Sequence, residues 1–334
     1  MSTTTAWDTA HRPAQTGQGI LLTVAGLFAI PAVASTVLRL VPPADDSTAL
    51  AAAFIAYGLL AYAVVLLCLL VALLRARRRA VLAGLAGLTA ILTAAHVAWL
   101  APLFVPNGRP VATEPFTVLT LNIRNGGADP AAFADRAEQA DVVVLVEATE
   151  AALAGLAAEG WDARFPYAIG DPRREGSNTA VFSRFRLSRP TLLGRSNFSQ
   201  WSVAVEVPDL GLVRLLAVHP CNPYCGGGRW YSEHEVVRSA VAGHGSGPLV
   251  VAGDFNAVAE QGPMQRLHRL GLRSATDLVG AGWLPTYPVG GLLPPLLPID
   301  HVLLSGQLTA TAVTPVTVPG TDHRGLLVQV AGTG

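Results

Sequence analysis

The chain has 334 residues, of which 51% are hydrophobic and only 14% are charged, and its mean hydropathy of +0.42 excludes an ordinary water-soluble protein. The apolar excess is concentrated in the first third. From Val111 onward there are 16 arginines against 20 acidic residues, a net charge of −4, which argues against the basic surface of a non-specific nucleic-acid binder.

Three uncharged stretches in residues 1–106 account for the apolar excess: Gly19–Leu38, Thr48–Leu74 and Ala80–Val105. Each has at least 20 residues, which at 1.5 Å per residue is enough to cross roughly 30 Å of hydrocarbon. A cleaved signal peptide is the alternative for the first stretch, but that stretch is long, little positive charge precedes it, and two more stretches follow. We therefore predict a membrane anchor of three transmembrane helices.

The distribution of arginine predicts the orientation of the anchor. Four arginines crowd the short connection between the second and third stretches: Arg75, Arg77, Arg78 and Arg79. The connection between the first and second stretches carries Asp45 and Asp46 instead. Positive connections stay in the cytoplasm, and a contact of these arginines with lipid headgroups would give the same side. We predict a multi-pass protein of the cell membrane with everything after Pro106 outside the cytoplasm.

Residues 107–115, which contain proline and glycine, are predicted to be a linker, and residues 116–334 are sufficient for one domain with a sizeable core. Short β-rich runs predict eight strands: Phe116–Ile123, Val142–Val146, Thr179–Phe182, Trp201–Val207, Leu212–Val218, Leu249–Ala252, Val302–Leu304 and Leu326–Val330. Four segments are predicted to be helical: Pro130–Ala140, Thr149–Glu159, Trp230–Ala242 and Gln261–Leu270. Several strands are apolar throughout, which indicates packed sheets covered by helices.

Polar residues follow the apolar runs in a fixed order. The motifs are TLNIRNG (120–126), DVVVLVE (141–147), HPCNP (219–223), VVAGDFNA (250–257), PIDHVLL (298–304) and TDHR (321–324). Taken alone, Asn122 is explained as a turn residue and Glu147 as a helix cap. Asp254 and Asn256 lie two residues apart, so in extended geometry their side chains point the same way. Together the motifs supply oxygen donors and histidines, a set that suits a hard divalent cation and phosphoester chemistry.

Two of the three cysteines, Cys221 and Cys225, lie in the loop that follows His219. Outside the cytoplasm a disulfide between them is expected, and it would stiffen this loop. A zinc site is the alternative, but no nearby spacing supplies the further ligands.

The ordered motifs resemble those of the endonuclease/exonuclease/phosphatase superfamily, whose fold is a four-layer α/β/β/α sandwich. The resemblance covers about 220 residues and implies hydrolysis of a phosphate ester by in-line attack of water. It implies Mg²⁺ as the cofactor, with Mn²⁺ as an alternative, held by Asn122, Glu147 and Asp322.

The resemblance also implies the remaining roles. Asp254 would activate the water, and Asn256 and Asn178 would contact the phosphate. Asp300 would orient His323, and His219 would stabilise developing charge or protonate the leaving oxygen.

The substrate is less constrained by the motifs. The segment Gly290–Pro298 is an apolar loop before Asp300 that either contacts a membrane or acyl chain or packs into the core. Together with the anchor, it favours a lipid-linked phosphate substrate at the bilayer. The layout also resembles the actinomycete membrane-bound teicoplanin-resistance phosphatases, which implies action on undecaprenyl-linked pyrophosphate. The alternatives are an anchored extracellular nuclease acting on DNA or RNA, which the acidic balance disfavours, and a non-catalytic binding module.

Overall fold

The computed structural model describes residues 12–41, 45–76, 79–170 and 178–334. The chain divides into two compact units, residues 1–42 with 54–101, and residues 43–53 with 102–334. Each unit is described by itself.

The first unit contains three long helices: α1 (Arg12–Leu40), α3 (Gly58–Arg75) and α4 (Ala80–Leu100). Together with the short 3-10 turns that adjoin α3 and α4, they give three segments long and apolar enough to cross a membrane: Gly17–Leu40, Ile55–Arg75 and Ala80–Leu103. Pro31 lies inside α1 without ending it. The prediction of three apolar helices is confirmed.

The second predicted span, Thr48–Leu74, began too early. Residues Asp46–Ala52 form a separate short helix, α2, whose N-cap is the side chain of Asp45. Ala49 of α2 is fully buried in the core of the second unit, where it packs with Trp230 and Met264. Residues Thr48–Ala52 were included in the predicted span because an apolar residue buried in a protein core and one facing lipid have the same hydropathy.

The second unit contains two six-stranded sheets. The first has the order β11-β12-β1-β2-β4-β3 and the second the order β5-β6-β7-β8-β10-β9. The strands are β1 (Phe116–Asn122), β2 (Val142–Val146), β3 (Tyr167–Ile169), β4 (Thr179–Ser183), β5 (Leu187–Leu192), β6 (Trp201–Val207), β7 (Gly211–Val218), β8 (Leu249–Asp254), β9 (Arg273–Ser274), β10 (Asp300–Leu304), β11 (Leu308–Thr317) and β12 (Arg324–Gly332). The helices are α5 (Pro130–Arg136), α6 (Glu150–Ala158), α7 (Trp161–Arg164), α8 (Arg229–Ala242), α9 (Gly262–Arg269) and α10 (Ala275–Val279).

Strand alternation explains the layers. In β1, Val118 packs between the two sheets, whereas Leu119 packs against Phe133 and Trp161 of the helices outside the first sheet. On the other side, α8 and α9 cover the outer face of the second sheet, where Val251 lies in their core. The predicted four-layer α/β/β/α sandwich is confirmed.

The segment predicted to be a linker, residues 107–115, is bound to the second unit. Asn107 and Gly108 donate their backbone N–H groups to the carbonyl of Leu278, and Ala112 donates to the carbonyl of Gly332. These bonds satisfy backbone groups that a free linker would leave to water, so the segment belongs to the folded unit.

Candidate active site

Strand topology brings the polar motifs to one edge of the sandwich. Strands β1 and β2 are parallel, so Asn122 at the end of β1 and Glu147 just after β2 lie at the same edge. In the second sheet β7 and β8 are parallel, which places His219 and Asp254 together, and β10 runs antiparallel with Asp300 opposite Asp254. The edge therefore collects residues from both sheets.

The remaining predicted residues reach the same edge from neighbouring strands. β12 is antiparallel to β1, so Asp322 and His323 immediately before it lie beside the end of β1. Asn178 precedes β4, and its carbonyl accepts the N–H of Ala148 at 3.0 Å, which places it next to Glu147.

Asn122 joins two carboxylates. Its Nδ2 donates to Oε1 of Glu147 and to Oδ2 of Asp254, both at 3.0 Å. The other oxygen of Glu147 accepts the backbone N–H of Asn125 at 2.8 Å. Glu147 has a φ of +58°, a left-handed conformation that is costly for a side chain of this kind. Such strain persists where the surrounding contacts hold the residue in one orientation, as they do here.

His323 is fixed by Asp300. Its Nδ1 donates to Oδ2 of Asp300 at 2.9 Å, and its Nε2 lies 3.9 Å from Oδ2 of Asp254 and 4.0 Å from Oδ1 of Asp322. Burial lowers the pKa of His323, but the charges of Asp300 and Asp254 outweigh it and raise that pKa to about 10. The imidazole is therefore protonated at neutral pH, and its Nε2–H faces the site.

His219 has the opposite character. It is buried and stacked on the ring of Phe198, with 4.4 Å between ring centroids. Its Nε2 lies 3.8 Å from both Oε1 of Glu147 and Oδ2 of Asp254. Burial lowers its pKa to about 4 although Asp254 acts to raise it, so the ring is neutral at pH 7. Among the described residues Nδ1 has no hydrogen-bond partner, so the structure supplies no carboxylate to orient this ring.

Asp254 and Asn256 do not project side by side into the site. The backbone N–H of Asn256 donates to Oδ1 of Asp254 at 2.8 Å, while its Nδ2 donates to the carbonyl of Pro220 at 3.0 Å. Asn256 thus links the loop after β8 to the loop after β7. Burial, followed by the charge of Asp300, raises the pKa of Asp254. The expected parallel projection fails because Asn256 leaves the strand with a φ of +48°.

The donor set fits a divalent cation. Four of the described carboxylates that the sequence motifs mark lie at this edge: Glu147, Asp254, Asp300 and Asp322. Among the described residues, the positive groups in contact with them are His323 and Arg124, whose Nε is 3.6 Å from Asp322. The negative surplus, presented entirely by oxygen atoms, suits a hard cation.

Two subsets of these residues could hold the ion. Ligand atoms of Asp254, Asp300 and His323 all lie within 4.8 Å of one another. Protonated His323 has no lone pair to offer, however, and Asp300 already accepts its proton. The second subset is the oxygen set expected from the sequence, Glu147, Asn122 and Asp322, in which Asn122 donates a hydrogen bond to Glu147.

One buried carboxylate at this edge was not identified from the sequence. Glu233 of α8 accepts the backbone N–H of Asn197 at 2.7 Å and that of Cys221 at 2.8 Å, as well as the hydroxyl of Ser196 at 2.7 Å. It joins the loop that carries Phe198 to the loop that follows His219. No local pattern marks it, because an isolated glutamate in a helix usually faces solvent.

The loop after His219 contains the expected disulfide. Cys221 and Cys225 are bonded to each other, which confirms the prediction and excludes a zinc site built on these thiols.

The sequence profile of the endonuclease/exonuclease/phosphatase family matches residues 119–323. The chain belongs to this family. Members of the family are hydrolases that act on phosphate esters, and the match spans all the motifs from Asn122 to His323. No curated protein matches the chain significantly.

Solved structures of this family share the fold. Truncated TDP2 from Caenorhabditis elegans is 16% identical with a TM-score of 0.53, over 65% of this chain and 98% of that one. A family member from Bacteroides thetaiotaomicron is 14% identical with a TM-score of 0.51, over 66% of this chain and all of that one. At these identities the likeness shows the fold alone.

Proposed function

We propose that this protein is a membrane-anchored, extracytoplasmic, Mg²⁺-dependent phosphoesterase that hydrolyses a lipid-linked phosphate ester or pyrophosphate by attack of water. The observation that carries the proposal is the convergence at Asn122. Its amide binds both Glu147 and Asp254, and Asp254 lies 3.9 Å from a protonated histidine, His323. Three groups thus lie at one edge: a carboxylate that can bind a cation (Glu147), a base (Asp254) and a cationic hydrogen-bond donor (His323).

The roles follow from charge and geometry. Asp254 accepts the proton of the attacking water, and the Nε2–H of His323 binds a phosphoryl oxygen while Asp300 holds the ring. The ring of His219 is neutral, so its Nε2 either donates or accepts a hydrogen bond. Through Nε2 it contacts the substrate oxygen that lies on the Glu147 side of the site. Asn178 completes the phosphate contacts beside Glu147. Bound Mg²⁺ would neutralise charge on the phosphoryl group, with Glu147, Asn122 and Asp322 as its ligands.

An exposed apolar loop supports a lipid-linked substrate. Leu292 is fully exposed and Leu293 is 66% exposed, so these two leucines do not pack into the core, which was the alternative. The loop begins beside the site. Val289 donates its N–H to the carbonyl of Asp322 at 2.7 Å, and the ring of Tyr287 lies 4.8 Å from that of His323. An apolar tip next to a phosphoester site suits an acyl or polyprenyl chain.

The narrower assignment to teicoplanin-resistance-type phosphatases acting on polyprenyl pyrophosphate is part of the proposal. Three apolar helices before a domain of this family support it. The extracytoplasmic side rests on the arginines between α3 and α4, of which Arg77 and Arg78 lie outside the described residues.

The test is turnover by the full-length protein in detergent with Mg²⁺, offered polyprenyl pyrophosphate, a phospholipid and sphingolipid panel, and duplex DNA. We expect hydrolysis of a lipid substrate, and none by Asp254→Asn. A matched control is Asp162→Asn in α7, an exposed residue that belongs to none of the motifs. Turnover of DNA alone would replace the lipid assignment by the nuclease alternative, and no turnover of any phosphoester would contradict the enzyme assignment.

A further inference from the structure

The short helix α2 connects the first two apolar helices in sequence, yet it is built into the catalytic unit. Ala49 and Ala52 are both fully buried, and Ala49 packs in the same core cluster as Trp230 and Met264. A tether that only linked two membrane spans would not need to fill this core.

Two hydrogen bonds fix α2 at the active-site edge. Oδ2 of Asp46 accepts the N–H of Gly228 at 3.0 Å, and the carbonyl of Ala49 accepts from Nε2 of Gln261 at 2.7 Å. Gln261 is 1% exposed, and its Oε1 accepts the N–H of Val258 at 2.7 Å. Gln261 therefore joins α2 to the loop that follows Asp254.

Gly228 ends a run of three glycines that requires such support. Gly226, Gly227 and Gly228 all have positive φ, with values of 68°, 66° and 71°. A glycine run has many alternative conformations, so holding it in one of them carries a large entropic cost. The carboxylate of Asp46 binds this run where it enters α8.

The start of α8 is connected to the catalytic groups. Trp230 donates its Nε1 hydrogen to the carbonyl of Asn256 at 2.9 Å, and Asn256 donates to the carbonyl of Pro220, next to His219. A shift of the glycine run would move Trp230, and with it both loops that carry His219 and Asp254.

We propose that α2, which connects the first two apolar helices in sequence, is a positioning element of the active site, in which Asp46 and Gln261 hold the loops that carry His219 and Asp254. Residues 102–334 alone therefore lack a piece of the catalytic unit, namely residues 43–53. In the chain, α3 and α4 lie between α2 and residues 102–334. Because α2 packs against residues 102–334, both must lie on the same side of the membrane, so the chain between them must cross the membrane an even number of times. Two crossings, by α3 and α4, agree with this requirement. The expected effect of α2 on turnover rests on the proposed function, whereas its expected effect on hydrogen–deuterium exchange does not.

The test is hydrogen–deuterium exchange on the full-length protein in detergent, with turnover measured on the same samples. Asp46→Ala removes the acceptor for Gly228, whereas Asp46→Asn retains an oxygen in its place. Gln261→Glu keeps the bond to Val258 and removes the donor to Ala49. Glu235→Gln is the control, because Glu235 lies on the exposed side of α8 and pairs with Arg238.

We expect Asp46→Ala and Gln261→Glu to speed exchange in residues 226–230 and 256–261 by about fivefold, as loss of one hydrogen bond predicts. Exchange in β1 and β2 stays unchanged, kcat falls with little change in KM, and Asp46→Asn behaves like the wild type. If residues 226–230 and 256–261 exchange at the wild-type rate in both Asp46→Ala and Gln261→Glu, the proposal is overturned. Absence of turnover in the wild type would contradict the proposed function, while the exchange result would still decide the role of α2.

Discussion

Asp300 and His323 form a 2.9 Å hydrogen bond across the two sheets of the sandwich. Asp300 begins β10 of the second sheet, whereas His323 directly precedes β12 of the first. Burial alone would leave this histidine neutral, and the carboxylates reverse that preference. One contact thus joins the two sheets and raises the pKa of the His323 imidazole at the candidate site.

Replacing Asp300 by Asn tests this relationship. The variant keeps the size of the side chain but removes the charge that holds the proton on His323. We expect kcat to fall by about 10²–10⁴-fold, the range typical of general acid–base groups, with the circular dichroism spectrum unchanged. Steady-state kinetics and thermal melts check it, with Asp162→Asn as the control. A kcat within twofold of the wild type would show that His323 does not depend on Asp300.

Removing the metal or its main ligand tests the cation site. We expect chelation by EDTA to abolish turnover, and Mg²⁺ to raise Tm because it binds only the folded state. In Glu147→Gln we expect the dissociation constant for Mg²⁺ to rise at least about tenfold, because one carboxylate ligand is lost. Calorimetric titration measures this, with Glu150→Gln at the start of α6 as the matched control. Equal Mg²⁺ affinity in Glu147→Gln and the wild type would place the ion elsewhere.

Two buried histidines away from the cation ligands predict acid sensitivity. Burial lowers the pKa of both His234 and His301 from 6.5 to about 4, and each ring binds a backbone carbonyl, of Trp230 and Ala257 respectively. Both stay neutral in the folded state while the unfolded chain takes up their protons below pH 6.5. Their contribution to stability is therefore complete above pH 6.5 and is lost as the pH falls through 4.

The slope of stability against pH measures this effect. Each histidine contributes about 1.4 kcal/mol per pH unit between the two pKa values. We expect His301→Gln to remove one such increment from the slope between pH 4.5 and 6, whatever its effect on stability at pH 7. Denaturant unfolding followed by tryptophan fluorescence checks it, and an unchanged slope would show that His301 does not take up a proton on unfolding.

Replacing two exposed leucines of the apolar loop tests the proposed lipid substrate. In the double variant Leu292→Ser, Leu293→Ser we expect KM for a lipid substrate in vesicles to rise at least about tenfold, since inserting even one of the two leucines is worth ~1.5–3 kcal/mol. Turnover of a small soluble aryl phosphoester should be unchanged. The matched control replaces Leu192 and Leu212, which are also exposed, and Leu212 lies at the opposite end of β7 from His219. Equal losses on both substrates would show that the loop supports the site rather than the lipid.

Much of the catalytic unit could be predicted because its strands are short, apolar and followed by polar motifs. Val142–Val146 was predicted with the bounds that β2 has, and the helix Thr149–Glu159 differs from α6 by one residue at each end. Strands with mixed exposure were missed. Among them are β5, in which the last four residues are exposed, and β11, which contains Pro315. Their burial is set by pairing across the sheet, which local periodicity does not show.

The site was predictable only as far as motifs mark it. Asn122, Glu147, Asp254 and His323 come together as expected, because the ends of parallel strands meet at one edge. The orientation of Asn256 was not predictable, since it depends on a turn with positive φ after β8. The contribution of α2 was not predictable either, because burial in lipid and burial in a protein core select the same residues.

Glu233 provides the last test, because it is a buried carboxylate that no motif marks. It accepts three hydrogen bonds from the two loops that bracket His219 and Phe198, and hydrogen bonds to a charged acceptor are worth about 1.5–3 kcal/mol each. Glu233→Gln points an amide N–H at one of these donors, so we expect stability to fall by about 2 kcal/mol. We also expect kcat to fall about tenfold as the stacking of Phe198 on His219 loosens. Glu235→Gln, two residues further along α8 and exposed, is the matched control for both measurements. If Glu233→Gln lowers Tm but leaves kcat at the wild-type value, Glu233 stabilises the fold without positioning His219.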